Sequence, residues 1–232
     1  SSGGTIYFST DKGENWSVND PGIDHKGLLS LAINGNSIFA GTWSNGIFLS
    51  TDKGYSWTQK NSDLNRISVR SLVINGNNIF AGLDGSNGTD SGGVILSTNN
   101  GDTWTHKDSG LTSIHIFTLG IKDSNIFAGT HDRMSGVFLS TDYGNSWTQK
   151  NSGLNSSNSV NIFSIGIINN NVFLGTMDGI FLSTDYGDNW ILNYSEFNGF
   201  VLSFAISGKN IYAGSYGGGV ALSTDYGKSW TK

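Results

Sequence analysis

Short apolar segments separated by turn residues recur along the whole chain. In one unit, residues 28–33 read LLSLAI, residues 34–36 read Asn-Gly-Asn and residues 38–41 read IFAG. The Asn-Gly-Asn triplet supplies the positive φ angles that a tight hairpin needs. Residues 46–50 and 57–60 form two further short segments, and the last is polar enough for an exposed edge strand. Because no segment keeps the 3.6-residue period of an amphipathic helix, the pattern predicts an all-β chain with four strands per unit.

Two sequence elements repeat from one end of the chain to the other. An eight-residue element recurs at intervals of 40 to 47 residues, and its copies begin at Ser9, Ser50, Ser97, Ser140, Ser183 and Ser223. Between them lies a second, mostly apolar element, which occupies residues 28–42, 69–83, 116–130, 162–176 and 201–215. A repeat of this length with four strands per unit is typical of a β-propeller, in which each repeat forms one four-stranded antiparallel blade.

The repeats divide the chain, as a single domain of residues 1–232, into a half blade and five full blades. The half blade is 1–20, and the full blades are 21–62, 63–109, 110–152, 153–195 and 196–232. The eight-residue element has one copy more than the apolar element, so the first pair of strands lacks inner partners. We therefore expect a six-bladed ring completed by flanking residues. A five-bladed ring with an appended hairpin, and an open array completed by self-association, are the alternatives.

The eight-residue element has the pattern S-T-D-x-G-x-S/T/N-W, with Asn99 replacing the aspartate in the third copy. The aspartate can accept backbone N–H groups across its own turn, and the glycine can adopt the positive φ angle that closes the turn. The tryptophan begins the next strand and can bury its ring. We therefore assign a structural role to Asp11, Trp16, Asp52, Trp57, Asn99, Trp104, Asp142, Trp147, Asp185, Trp190, Asp225 and Trp230.

This pattern resembles the Asp-box, also called the bacterial neuraminidase repeat, of sialidases, sortilin-type receptors, xyloglucan-cleaving endoglucanases and photosystem II assembly factors. The resemblance covers nearly the whole chain and implies a β-propeller fold. It does not extend to the sialidase active site, which requires an arginine cluster and an Arg-Ile-Pro-type motif. The chain has only three arginines, Arg66, Arg70 and Arg133, and its single proline, Pro21, follows Asp20.

Two expectations concern individual copies of the box. Trp57, Trp104, Trp147 and Trp190 should be mostly buried between blades, whereas Trp43, which lies outside a box, should be more exposed. The turn that contains asparagine in place of aspartate keeps an acceptor oxygen but loses the charge, so this turn should be somewhat weaker.

Propeller geometry places the hairpin turns and box turns on one face and the remaining loops on the other, here called the loop face. The first set is nearly the same in every repeat, whereas the loop-face segments vary in length and content. Variation among the copies marks the surface without a shared structural role. Aromatic, amide and charged side chains on such a surface suit a protein or a surface glycan. The candidate ligand-binding residues are Trp43, Asp84, Asp90, His131, Asp132, Arg133, Met177, Asp178 and Tyr216.

Composition narrows the functional classes further. Charged residues make up 13% of the chain and the net charge is −5, which disfavours nucleic acid as a partner. The apolar runs are too short for membrane insertion, and the lack of cysteine excludes disulfides and thiolate metal sites. The box aspartates lack the further ligands of a calcium loop, so we expect no metal and no cofactor. Low charge with abundant serine, threonine and asparagine favours a secreted or cell-surface, extracytoplasmic location.

The sequence therefore predicts a non-catalytic extracellular binding module that presents its loop face to a protein or glycan. Two alternatives remain open. One is an architectural repeat segment of a larger secreted or surface protein. The other is a glycoside hydrolase that uses loop-face aspartates such as Asp84, Asp90 and Asp132. Because the sequence contains no nucleophile elbow and no phosphate-binding glycine loop, we assign no catalytic residue.

Overall fold

The computed structural model of the protein describes residues 6–19, 27–61, 64, 66–85, 92–132, 135–155, 160–197 and 199–232. Within these ranges the chain forms strands and no α-helix. Accordingly, they contain no helix that is long and apolar enough to cross a membrane. The strands are β1 (Ile6–Phe8), β2 (Ser17–Asn19), β3 (Leu28–Asn34), β4 (Ser37–Thr42), β5 (Ile47–Ser50), β6 (Thr58–Gln59), β7 (Ser68–Asn75), β8 (Asn78–Asp84), β9 (Gly93–Ser97), β10 (Thr105–His106), β11 (Ile116–Lys122), β12 (Asn125–Thr130), β13 (Val137–Ser140), β14 (Thr148–Gln149), β15 (Ser164–Ile168), β16 (Asn171–Gly175), β17 (Ile180–Ser183), β18 (Ile191–Tyr194), β19 (Val201–Ser207), β20 (Asn210–Ser215) and β21 (Gly219–Ser223).

The chain divides into two compact units, Ser1–His106 and Lys107–Lys232. The first unit contains the β1–β2 hairpin and the four-stranded sheets β3–β6 and β7–β10. The second contains the four-stranded sheets β11–β14 and β15–β18 and the sheet β19–β21, which a bridge between Leu222 and Thr231 extends. Strands follow chain order within each sheet, and neighbours are antiparallel. This is the predicted all-β, propeller-type architecture. The five sheets match the five-bladed alternative and not the preferred six-bladed ring.

Close packing between neighbouring sheets depends on small residues in the first two strands. In the first unit, a Cβ atom on Gly41 would lie 2.7 Å from the Val69 side chain of the next sheet, so a larger residue does not fit there. Ser30 donates its hydroxyl to the Val69 carbonyl at 3.1 Å. In the second unit, Ser164 donates in the same way to the Val201 carbonyl at 2.9 Å. The repeat thus supplies both the space and the hydrogen bond that join successive sheets within each unit.

A β-bulge interrupts the first strand of most sheets. The register with the second strand shifts between Leu28 and Ser30, Val69 and Ser71, Ile116 and Thr118, and Val201 and Ser203. The residue inside each shift has no partner on the second strand, so its side chain leaves the regular alternation of the sheet. In two of these sheets the residues are Arg70 and Phe117, and both belong to the candidate site described below.

A hydrogen-bond network holds each box turn. In the second copy, the Ser50 hydroxyl accepts the Gly54 N–H and donates to the Asp52 carboxylate, both at 2.8 Å. Asp52 also accepts the N–H and the hydroxyl of Ser56, at 2.8 and 2.5 Å. Lys53 (φ 64°) and Gly54 (φ 90°) both lie in the left-handed region. The aspartate and glycine behave as the sequence pattern predicts. The hydrogen bonds of Ser50 and Ser56 and the left-handed conformation of Lys53 are additional features that the prediction did not include.

These donors lower the pKa of the box aspartates to about 2, because hydrogen bonds from hydroxyl, amide and N–H groups stabilise the ionised carboxylate. The aspartates concerned are Asp11, Asp52, Asp142, Asp185 and Asp225. In the third copy, the neutral Asn99 accepts hydrogen bonds from the Ser97 hydroxyl and the Thr103 N–H, both at 3.0 Å. The network therefore persists without the charge.

The box tryptophans differ in burial. Trp147 and Trp190 are 5% and 3% exposed, and each indole N–H donates to a backbone carbonyl of the preceding repeat. Trp57 and Trp104 are only partly buried, and their indole N–H groups donate to a glycine carbonyl in their own turn instead. The expectation of mostly buried rings therefore holds for the pair in the second unit and is too strong for the pair in the first. Trp43, outside a box, is 44% exposed as expected.

Candidate binding site on the loop face

Backbone hydrogen bonds connect the variable loops in pairs. In each pair, the loop that follows the second strand of a sheet is bonded to the loop that precedes the first strand. The N–H groups of Trp43, His131 and Tyr216 donate to the carbonyls of Gly27, His115 and Phe200, at 2.8, 3.2 and 2.9 Å respectively. At the opposite end of the sheets, the hairpin turns contact the box turns, as in the 3.2 Å bond from the Tyr226 N–H to the Lys209 carbonyl. This separation of the two sets of turns agrees with the predicted faces.

In the first unit, Trp43, Arg70 and Asp84 form what we call the arginine cluster. Arg70 projects from its bulge so that its guanidinium carbon lies 4.7 Å from the centre of the Trp43 ring. Two guanidinium nitrogens lie 3.0 Å from Oδ2 of Asp84. The Arg70 and Asp84 side chains are only 17% and 7% exposed, so their charges neutralise each other in a largely desolvated position. The Ser68 hydroxyl donates to the Trp43 carbonyl at 2.8 Å and fixes the loop.

The arginine cluster is rigid and half open to solvent. The guanidinium covers part of the Trp43 ring, yet 44% of this residue remains exposed. Tryptophan and arginine held in a fixed orientation lose little side-chain entropy when a partner binds, and they are the residue types that most often anchor interfaces. The geometry therefore suits recognition of a partner by contact and stacking.

In the second unit, five side chains from three successive sheets form an aromatic row. The ring centres of His131 and Phe117 are 5.0 Å apart, and both rings contact Phe163. Phe163 stacks on Phe200 at 5.2 Å and 18°, and Phe200 stacks on Tyr216 at 6.2 Å and 16°. Phe163 in the middle is 9% exposed, whereas His131 is exposed and Tyr216 is 69% exposed. The row thus has a buried centre and two open ends.

The other candidate residues lie apart from these clusters or support their loops. Asp132 accepts hydrogen bonds from the Ser113 hydroxyl and, at 2.7 Å, from the Ser135 N–H, so its carboxylate braces its loop. Met177 is half-buried. Asp178 lines a separate open pocket. The predictions for Asp90 and Arg133 fall outside the described residues. Within the described ranges, no three His, Asp or Glu side chains converge in a way that could hold a metal ion.

Two repeat positions supply most of the candidate site, and the sequence analysis identified one of them. Phe200, which directly precedes the last copy of the apolar element, belongs to neither position. The first position directly follows the apolar repeat element, and its successive copies are Trp43, Asp84, His131, Met177 and Tyr216; all five were predicted. The second position is the second residue of the apolar repeat element, where successive copies carry Leu29, Arg70, Phe117, Phe163 and Leu202. In the apolar pattern, these residues are indistinguishable from core positions, except that arginine in one copy breaks the pattern. That arginine was the available signal.

Comparison with known proteins shows the fold. No protein-family model and no curated protein matches the sequence. Among solved structures, YCF48 bound to D1 peptide is 18% identical with a TM-score of 0.71, and the match covers 98% of this chain and 74% of that one. The extracellular domain of a one-component system from B. thetaiotaomicron is 17% identical with a TM-score of 0.71, over 98% of this chain and 31% of that one.

A GH74 xyloglucanase from Xanthomonas campestris is 13% identical with a TM-score of 0.71, over 97% of this chain and 41% of that one. The chain therefore spans well under half the length of the last two proteins. These structures are β-propellers, and by their descriptions they include a xyloglucanase, a protein in complex with a peptide and an extracellular domain. At such identities the likeness establishes the fold, while function has to be argued from the site.

Proposed function

We propose that the protein is a non-catalytic binding module that engages a macromolecular partner through its loop face. The arginine cluster carries this proposal. The bulge position needs no charge for the fold, because other sheets carry leucine or phenylalanine there. Arg70 is nevertheless held between the Trp43 ring and the Asp84 carboxylate, beside an exposed aromatic surface. A preorganised tryptophan–arginine pair is more useful to an interface than to a purely architectural segment.

A protein partner fits the aromatic row better than a glycan does. Sugar rings stack on open aromatic faces, but Phe163, Phe200 and Tyr216 are stacked on each other at interplanar angles of 18° and 16°. Their faces are therefore mostly occupied, and an open face is available chiefly at the Tyr216 end. Apolar and aromatic side chains of a protein can pack against the exposed edges and the open end of the row.

Two structural neighbours add support at the level of the fold. YCF48 is described in complex with D1 peptide, and another neighbour is the extracellular domain of a one-component system. Propellers of this shape thus serve as peptide-binding and extracellular domains in other proteins. For this chain we propose the corresponding role, together with an extracytoplasmic location.

The test measures binding to a glycan array and to a displayed random-peptide library. Trp43→Ala and Tyr216→Ala remove one exposed aromatic from each cluster. Tyr143→Ala is the matched control, because Tyr143 is 42% exposed in a box turn and Trp43 is 44% exposed on the loop face. We expect selected ligands to bind at least tenfold more weakly to one of the loop-face variants and normally to the control. Ligands that lose affinity only through Tyr143→Ala would overturn the proposal, and ligands drawn only from the glycan array would reassign the partner class.

A further inference from the structure

One outermost strand differs from the others. The strands β6, β10 and β14 each have two residues, and their sequences are Thr-Gln, Thr-His and Thr-Gln. All of these residues are exposed. The strand β18 has four residues, Ile191–Tyr194, and begins with two apolar side chains. Ile191 is 61% exposed and Leu192 is 52% exposed.

This strand forms the edge of its sheet, in the order β15-β16-β17-β18. Natural proteins usually keep edge strands short and polar, because the unpaired N–H and carbonyl groups of an edge can pair with another chain. The strands β6, β10 and β14 follow this rule and β18 does not. The difference is not required by the repeat, since sister sheets fold with Thr-Gln at the same position.

An open pocket of about 420 Å³ lies beside this edge. Phe181 and Trp190 contribute apolar walls, and Ile191 and Leu192 of β18 contribute its strand side. The charged side chain among the described lining residues is that of Asp178. An edge strand with an adjacent apolar pocket is the arrangement in which an added strand gains affinity from main-chain hydrogen bonds and specificity from one inserted side chain.

The edge could pair with a second copy of this chain or with a different protein, and charge favours the different protein. A second copy at the same edge would bring together two chains that each carry a net charge of −5. A basic side chain on a different partner would instead be attracted to this acidic chain and to the Asp178 side chain that lines the pocket. The charge distribution therefore favours an apolar segment with a lysine or arginine over self-pairing.

We propose that β18 is a docking edge for an extended segment of a partner protein that carries alternating apolar residues and at least one basic residue. The segment adds to the sheet as a fifth strand, continues the β17–β18 ladder, and places an apolar side chain in the pocket and a basic side chain near Asp178. This surface shares no residue with the arginine cluster or the aromatic row, so its role does not depend on theirs.

The experiment uses a phage-displayed library of random nonapeptides panned against the immobilised chain. Selected peptides are measured by fluorescence anisotropy against the wild type and against Ile191→Thr/Leu192→Gln, which gives β18 the Thr-Gln sequence of β6 and β14. Thr105→Ala/His106→Ala in β10 is the control for a change in another edge strand. Peptides made with N-methyl groups on alternate amides test whether main-chain hydrogen bonds are used.

We expect a group of peptides with alternating apolar residues and a lysine or arginine. They should bind at least tenfold more weakly to the β18 variant and at least tenfold more weakly when N-methylated, and they should slow amide exchange in β18. The β10 variant and Trp43→Ala should bind them normally. Equal binding to the β18 variant, tolerance of N-methylation, or failure to select any such peptide would each overturn the proposal. A dimer that dissociates in the β18 variant would show that a second copy is the occupant.

Discussion

The box aspartates are exposed or half-buried at the surface, and their carboxylates are held in their own turns by several hydrogen bonds. Asp142, for example, accepts the Ser146 hydroxyl at 2.6 Å, the Ser146 N–H at 2.9 Å and the Ser140 hydroxyl at 2.8 Å. Because these donors favour the ionised form, the pKa in the folded protein falls below the ordinary value of 3.8 to about 2. The same shift at five aspartates links the stability of the turns to pH.

Acid should therefore weaken the fold in a defined range. A group whose pKa is lowered by folding adds stability above its ordinary pKa and loses it as the pH falls toward its folded pKa. We predict that the free energy of unfolding, measured by urea denaturation, falls steeply as the pH drops from 4 to 2. Asp142→Asn should reduce this slope, because asparagine has no carboxyl group to protonate. An unchanged slope would contradict the assignment of the acid sensitivity to the box turns.

The box tryptophans should contribute unequally to the free energy of unfolding, because they are buried to different extents. Trp190 is 3% exposed and Trp16 is 63% exposed, although both occupy the last position of a box. We predict that Trp190→Ala lowers the unfolding free energy by roughly 3–5 kcal/mol, because it leaves a cavity and an unpaired carbonyl. Trp16→Ala should cost less than about 1 kcal/mol. Similar losses for the two variants in chemical denaturation would contradict this assignment.

At the scale of the strand, the bulge allows copies of the repeat to keep the same strand pairing while they present different side chains on the loop face. The bulged residue leaves the ladder, so its identity can change without disturbing the pairing on either side. The copies use this freedom differently: leucine at residues 29 and 202, arginine at 70, and phenylalanine at 117. In the second sheet, the charge is stabilised by Asp84, which stands where other sheets carry Trp43 or Tyr216.

The effects on stability of removing Arg70 and of removing Asp84 should therefore depend on each other. Arg70→Leu installs the residue of a sister sheet but leaves the Asp84 carboxylate, 7% exposed, without its guanidinium. We predict a loss of about 3 kcal/mol in unfolding free energy, because an uncompensated charge remains largely buried. The double variant Arg70→Leu/Asp84→Leu should recover most of this loss. If the double variant is as unstable as the single one, Arg70 contributes by packing and not by pairing.

The repeat pattern predicts strands better than it predicts sites. Hairpin turns such as 34–36 and the box at 50–57 are encoded locally, by residues that form their own turn, so they can be read from one copy of the repeat. Phe163 and Phe200 meet across two successive sheets, and no local pattern encodes that contact. The loop residues Trp43 and Tyr216 were recognisable because they vary, and Arg70 could have been recognised because it breaks the apolar pattern. The phenylalanines of the aromatic row look like ordinary core residues.

At the scale of the whole chain, the five sheets correspond to the five-bladed alternative, in which no further strands are needed. We therefore predict that the 232-residue chain is a monodisperse monomer of 24.8 kDa by size-exclusion chromatography with light scattering. Concentration-dependent oligomers would instead indicate that the chain completes its fold, or its β18 edge, with another copy.

The central claim is that the loop face is the recognition surface, and hydrogen exchange with a bound ligand tests it most directly. The ligand is chosen from those selected in the binding screen. It must still bind the Ile191→Thr/Leu192→Gln variant, so that the β18 edge plays no part. The account predicts slower exchange on binding in the loops around Trp43 and Arg70 or in the loops around His131 and Tyr216, with the box turns unchanged. Protection confined to the box turns, such as residues 50–57 and 140–147, would contradict it.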